Sequence, residues 1–325
     1  MIRVPPKLMP GDELRIITLS DSLATMDRAA IDATVDTVDK LFGATISFGQ
    51  RSREQLDHLA TSSIVARVED LEAALRDPKV TAIIAAAGGD NVNQLLPHID
   101  WRLFKKHPKI LLGFSDLTVL FNAVYHCSGL ITYYGPNAGF GEGKGQRYTA
   151  DYLRRVLSQT QPVEIEPSKT WYDKDYRVSP PRQRKYSNDG WWSLNVGQAS
   201  GRLVGGEISS LQLLAGSKYM PKLSGRVLML EQFMGSLAEF DRLLEALLQL
   251  PRRPLAGLLI GRFVKSAVVS RDGLQAVIDS KPQLKRVPVL ANIDFGHSQP
   301  RLTLPIGGVI EFEAGNNPSL TIKEH

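Results

Sequence analysis

The sequence predicts an α/β protein: an N-terminal parallel-sheet α/β domain followed by a C-terminal α/β domain. Three observations point there. Near-continuous apolar runs such as Val80-Thr-Ala-Ile-Ile-Ala-Ala-Ala alternate with segments of helical period, as strands covered on both faces do. Glycines close those runs, at Gly88-Gly89 and at Gly113. The length of 325 residues exceeds the usual single-domain range and favours two domains.

Taken in order, Glu13-Leu-Arg-Ile-Ile-Thr-Leu reads as the first strand and residues 27–42 as a helix. Ala44-Thr-Ile-Ser-Phe is the next strand, and residues 62–76 form a helix behind Thr61-Ser-Ser, whose hydroxyls suit an N-cap. The strand from Val80 follows, then a helix through Leu95 and Leu96. The run Lys109-Ile-Leu-Leu-Gly-Phe-Ser-Asp breaks at Gly113 and continues as an apolar helix over 116–126. A loop from Tyr134 to Gln146 and a short helix over 150–158 lead into a polar, proline-bearing stretch from Glu166 to Asn188. A boundary near 160 divides the chain into domains 1–160 and 161–325. The second carries strands around 202–204, 225–230, 257–261 and 308–312, with helices near 208–215, 236–248 and 273–279.

Hydrophobic residues at 43% and charged residues at 22% supply two cores and argue against disorder. No apolar run reaches the roughly 18 residues of a membrane span, and the N-terminus lacks a signal peptide's apolar stretch. A cytoplasmic protein without a membrane partner is expected. Cys127 is the only cysteine, which excludes an intrachain disulfide and a thiolate cluster, and its place late in a helix suits packing. The net charge of +5 is spread along the chain; only Arg177 to Lys185 is locally basic, which reads as a solvated loop and not a nucleic-acid surface. Neither Gly88-Gly89 nor the glycine-rich run 139–145 has nucleotide-cofactor spacing, and the run reads as a loop with Lys144 in solvent. No histidine or carboxylate cluster has metal-ligand spacing, so neither metal nor cofactor is expected.

Ser115 sits at the strand-to-helix break, where a tight turn exposes a nucleophile and the N–H groups of the helix start stand free to hold an oxyanion. A serine hydroxyl needs a base to take its proton and an acid to orient that base. Of the six histidines, His58, His98, His107, His126 and His325 read as surface, capping or packing residues. His297, in Ile293-Asp-Phe-Gly-His-Ser-Gln-Pro, lies just past a strand in a glycine-bearing turn. By pattern it is either the base or a structural loop histidine. Glu231 directly follows the apolar strand Arg226-Val-Leu-Met-Leu, so it is either the orienting acid or a carboxylate favoured by a helix N-terminus. Gly88-Gly89 offers a second oxyanion donor. Trp171, Trp191 and Trp192, set in a polar region, either close a domain interface or form a stacking face for a ligand.

With those residues in hand, the chain resembles the LD-carboxypeptidase family of serine peptidases, most of all its microcin C self-immunity type. The resemblance rests on Pro5-Pro-Lys-Leu-Met-Pro-Gly-Asp, Gly88-Gly-Asp-Asn-Val-Asn-Gln-Leu-Leu-Pro, Gly113-Phe-Ser-Asp, Thr132-Tyr-Tyr-Gly-Pro, Gly201-Arg-Leu-Val-Gly-Gly, Leu228-Met-Leu-Glu, and Asp294-Phe-Gly-His-Ser-Gln-Pro with Leu304-Pro-Ile-Gly. It implies a triad of Ser115, Glu231 and His297, an oxyanion hole from the backbone N–H groups of Asp116 and Gly89, and a site at the interface of two α/β domains in a homodimer. It implies a peptide or peptidyl-nucleotide substrate: a murein tetrapeptide losing its terminal D-alanine, or an aminoacyl nucleotide of the microcin C kind. The aromatic insert at about 168–195 resembles the immunity type and puts Trp171 forward as a nucleobase-stacking residue. Two departures stand out: Glu207 where the family often has Asn, and Gln299 where it often has a second histidine. A binding protein that kept the fold and lost turnover is the rival reading.

Overall fold

The computed structural model describes residues 2–56, 58–141, 145–175, 182–264 and 267–325. Its first sheet has six strands in the order Leu304–Ile306, Thr132–Tyr134, Ile110–Gly113, Val80–Ala85, Glu13–Ile17 and Thr45–Phe48. Every neighbouring pair is parallel except the first. In chain order the parallel strands read second, first, third, fourth and fifth, so the direction of growth reverses between Glu13–Ile17 and Val80–Ala85. Such a switch opens a crevice at the carboxyl ends of the strands. The second sheet has eight strands, and its centre, Gly197–Glu207, Val227–Glu231, Gly257–Gly261 and Val289–Ile293, is parallel. Antiparallel strands flank that centre on both sides.

Local chemistry accounts for the helices. Ser63 caps Ile64–Arg76 by accepting the Ala66 N–H, and Ser236 caps Leu237–Leu248 by accepting that of Glu239. Leu117–Ser128 ends on Gly129, whose φ of 77° favours glycine. That helix is buried almost all round, as an apolar helix between two layers must be.

The same helix joins the lobes. Asn122 Nδ2 donates to the Gly205 carbonyl at 2.8 Å while Asn122 Oδ1 accepts the Gly205 N–H at 2.9 Å. Thr118 Oγ1 accepts the Glu207 N–H at 2.9 Å. The contact is close: a Cβ on Gly206 would come within 2.9 Å of Thr118 Cγ2 and 3.0 Å of Tyr134 Cε2, and one on Gly205 would strike the Met229 carbonyl oxygen, which explains the paired glycines. Glu207 is in register with Glu231 on the next strand. Placing the helix that follows Ser115 therefore also places Glu231.

Among the elements that differ from the sequence expectation, three bear on the site and its surroundings. Residues around Leu95 form a 3-10 turn, Val92–Leu95, because Asn91 supplies no side-chain cap and Pro97 stops the segment. The polar stretch after Glu166 contains an antiparallel hairpin, Thr170–Asp175 with Arg182–Ser187, whose polar sequence carries no core pattern to announce it. Leu304–Ile306 returns to the edge of the first sheet. Lys144 and residues 177–181 of the basic stretch lie outside the described residues. Among the described residues no helix is long and apolar enough to cross a membrane.

Replacing Asn122 with leucine keeps the volume but leaves the Gly205 N–H and C=O buried and unpaired. Unfolding in urea is expected to show a loss of about 2–5 kcal/mol; an unchanged midpoint would contradict this account of the junction.

Candidate active site

Ile110–Gly113 and Leu117–Ser128 are joined by a turn so tight that Ser115 adopts φ 67°, a left-handed conformation unusual for a residue with a side chain. Room for it comes from Gly88, where a Cβ would stand 2.9 Å from Ser115 Cβ. Glu231 is the last residue of its strand, and His297 lies just past Val289–Ile293. The three side chains, far apart in sequence, meet: Ser115 Oγ is 3.1 Å from His297 Nε2, and His297 Nδ1 is 2.9 Å from Glu231 Oε2.

Burial and packing hold them. The Glu231 side chain is fully buried and that of His297 is 11% exposed. Phe233 stacks on the imidazole with ring centres 4.2 Å apart, and Phe114 lies 5.0 Å away at a tilt. Gly261 and Gly296 crowd the carboxylate's stem, and a Cβ on Gly296, at φ 102°, would come within 2.7 Å of Glu231 Oε2. Since an ionised carboxylate can only accept, Nδ1 carries the proton and Nε2 is left as the acceptor for the Ser115 hydroxyl. That is the tautomer a general base needs.

The oxyanion candidates sit beside this line. Asp116 N–H stands at the helix start, and among the described residues it has no acceptor. The Gly88 carbonyl accepts the Asp21 N–H at 3.1 Å. In a planar trans peptide the Gly89 N–H therefore points the opposite way, away from Asp21. Asp116 has a second part that its sequence does not announce: its buried carboxylate accepts from Ser20 Oγ at 2.6 Å and from the Val92 N–H at 3.0 Å. It ties together the loops that follow the two switch-point strands, and burial pushes its carboxyl up from the usual range.

A cavity of about 230 Å³ opens here, lined by Gly88, Phe114, Asn137, Tyr172, His297 and Arg301 among others. Arg301 lies over the Phe114 ring at 3.9 Å and donates from Nε to the Gly296 carbonyl. Trp171 faces elsewhere. It stacks on Tyr186 with centroids 4.6 Å apart, the Arg262 guanidinium lies 5.3 Å from its ring, and it lines a separate cavity of about 590 Å³. Its strand neighbour Tyr172 lines the cavity beside His297, as the alternation of side chains along a strand requires. Trp192 lines the larger cavity too, while Trp191 is buried.

The departures have structural parts. Glu207 caps Ile208–Gln212, accepting from the Ser210 N–H and from the Ser209 and Ser210 hydroxyls. Gln299 exchanges backbone bonds with Tyr172, pinning the hairpin to the loop that carries His297. That loop is anchored by Asp294, wholly buried against Arg262 at 2.6 Å and bonded by Ser168. Of the remaining histidines, His325 is a correction: it is buried, with Nδ1 2.7 Å from Lys7 Nζ and 2.8 Å from the Val156 carbonyl. Burial pushes the Cys127 thiol up, against any nucleophilic part.

Family models described as the LD-carboxypeptidase N-terminal domain and the LD-carboxypeptidase C-terminal domain match residues 14–135 and 200–312. The chain is 39% identical to the putative carboxypeptidase YocD of Bacillus subtilis (strain 168), over 95% of each chain. The crystal structure of an MccF-like protein from Bacillus anthracis str. Ames superposes with a TM-score of 0.94 at 38% identity, over 99% of this chain and 100% of that one. The microcin C7 self-immunity protein MccF in complex with aspartyl sulfamoyl adenosine superposes with a TM-score of 0.85 at 25% identity, over 99% of both.

The Gly296→Ala variant is expected to lose roughly 1–3 kcal/mol of stability through backbone strain and to lose turnover as Glu231 is displaced. Gly315→Ala is the control, with only Glu313 Oε1, at 3.9 Å, near its new Cβ. Thermal unfolding and initial rates check the pair, and similar behaviour of the two variants would contradict the packing argument.

Proposed function

This chain belongs to the LD-carboxypeptidase family and is a serine peptidase, and we propose that it cleaves an amide next to a free carboxylate end through Ser115, His297 and Glu231. The observation that carries the reading is the unbroken line from Ser115 Oγ through the imidazole to a buried carboxylate. His297 Nε2 takes the hydroxyl proton as Oγ adds to the amide carbonyl, and Glu231 stabilises the imidazolium that forms. The tetrahedral oxyanion is held by the N–H groups of Asp116 and Gly89. Collapse passes the proton from His297 to the leaving amine, and water, activated by the same imidazole, releases the acyl group from Ser115.

Arg301 receives the substrate's carboxylate. It is the one lysine or arginine lining the cavity beside His297 among the described residues, and a guanidinium pairs with a carboxylate in a fixed fork. For the body of the substrate we put an aminoacyl nucleotide of the microcin C kind first; the ligand of the solved relative supports that choice. A second reading, a murein tetrapeptide that loses its terminal D-alanine, is supported by the murein tetrapeptide carboxypeptidase of Pseudomonas aeruginosa, 26% identical over 85% of this chain. The protein is read as a homodimer, on the family resemblance.

Incubation with each substrate type followed by mass spectrometry tests the assignment. Wild type is expected to release product from one of them, and Ser115→Ala to lower kcat by roughly 10⁴-fold or more; equal rates would leave a non-catalytic binder. Arg301→Met should raise KM by about tenfold or more, the scale of one lost charge-assisted contact, while a neutral amide substrate should not discriminate the two proteins. Equal KM values for the acid substrate would remove Arg301 from recognition.

A further inference from the structure

The triad has a fourth neighbour. Tyr134, on the strand beside Ile110–Gly113, donates its hydroxyl to Glu231 Oε1 at 2.8 Å. The same oxygen accepts the backbone N–H of Ser115 at 3.2 Å. The direction of both bonds is forced: a peptide N–H can only donate, and an ionised carboxylate can only accept. The contacts close into a ring that runs from Ser115 N–H to Tyr134, to Glu231, to His297 and back to Ser115 Oγ.

We infer that Tyr134 is a positioning residue of the triad: one hydroxyl holds the nucleophile's backbone in its left-handed turn and fixes the carboxylate that orients His297. The inference rests on the Ser115, His297 and Glu231 reading. It has two consequences. Ser115's own N–H is occupied by Tyr134, which leaves the oxyanion to Asp116 and Gly89. The phenol also draws charge from Glu231 Oε1, moderating how strongly the carboxylate stabilises the imidazolium. Tyr134 is fully buried, which holds the phenol protonated well above its ordinary range, so the donor is present at every working pH. The residue sits in the quoted motif Thr132-Tyr-Tyr-Gly-Pro, where the neighbouring Tyr133 is also buried but its hydroxyl has no hydrogen-bond partner among the described residues.

Tyr134→Phe is tested on the full chain with the substrate that wild type turns over. A fall in kcat of about 10- to 100-fold is expected, the scale of a slightly misplaced reacting group, with KM within about twofold. With the phenol gone, Glu231 stabilises the imidazolium more, so the acidic limb of the kcat/KM profile moves to higher pH. A structural defect alone would lower Tm without moving that limb. If the variant fails to fold, 3,5-difluorotyrosine at position 134, a stronger donor, replaces it and should move the limb to lower pH. An unmoved limb in the folded variant overturns the inference. Ser115→Ala measured alongside separates the two claims: full activity there sinks the triad reading itself, whereas an inactive Ser115→Ala with a wild-type profile for Tyr134→Phe sinks only the part given to Tyr134.

Discussion

A carboxylate withdrawn entirely from water is tolerated only where protein donors replace its hydration, and Glu231 is such a group. One oxygen takes the Tyr134 hydroxyl and the other takes His297. Tyr134 belongs to the first sheet, while Glu231 and His297 stand at the carboxyl ends of two strands of the second that flank Gly257–Gly261. Satisfying one buried charge therefore requires both sheets to present their carboxyl ends to the same point. Ser115 is already there, because the strand beside Tyr134 ends at its turn. The glycines around Glu231 belong to the same requirement, since side chains at Gly261 or Gly296 would push the carboxylate off its donors.

Rigidity comes from the junction rather than from the site. Asn122 uses both ends of its amide on Gly205, and Thr118 takes the next available N–H, so the helix after Ser115 is bonded to a strand of the other lobe. Strand register then carries that position to Glu231. On the far side, Asp294 and Gln299 hold the loop of His297 against Arg262 and the hairpin. Ser115, His297 and Glu231 are thus each located by backbone and by buried polar groups that are themselves satisfied, which lets the imidazole keep one tautomer.

Much of this was legible in the residues. Ser115, Glu231 and His297 each follow an apolar strand, and in a parallel sheet such positions converge at one edge, so three separate local patterns implied one place. The parallel sheet of the first lobe was legible for the same reason, since buried strands write themselves as apolar runs, whereas the second lobe's strands could be placed but not oriented. The hairpin beginning at Thr170 was not, because a two-stranded ribbon with polar faces has no buried stripe. The edge strand Leu304–Ile306 is too short to show a period. Tyr134 and the side chain of Asp116 were hidden differently: nothing near them in sequence tells which distant oxygen or nitrogen their polar atoms will reach. Trp171 was visible as an aromatic out of place, but only the alternation along its strand shows that it faces away from the cavity of Tyr172.

The proposed function requires that this hydrogen-bonded line activates Ser115. The most direct measurement is the rate of covalent labelling by a fluorophosphonate, with the modified residue located by peptide mass spectrometry, in wild type and in His297→Ala. One phosphonyl group is expected, on Ser115, forming at a rate that falls by orders of magnitude without the imidazole. Labelling at another residue, or an equal rate in the two proteins, would contradict it.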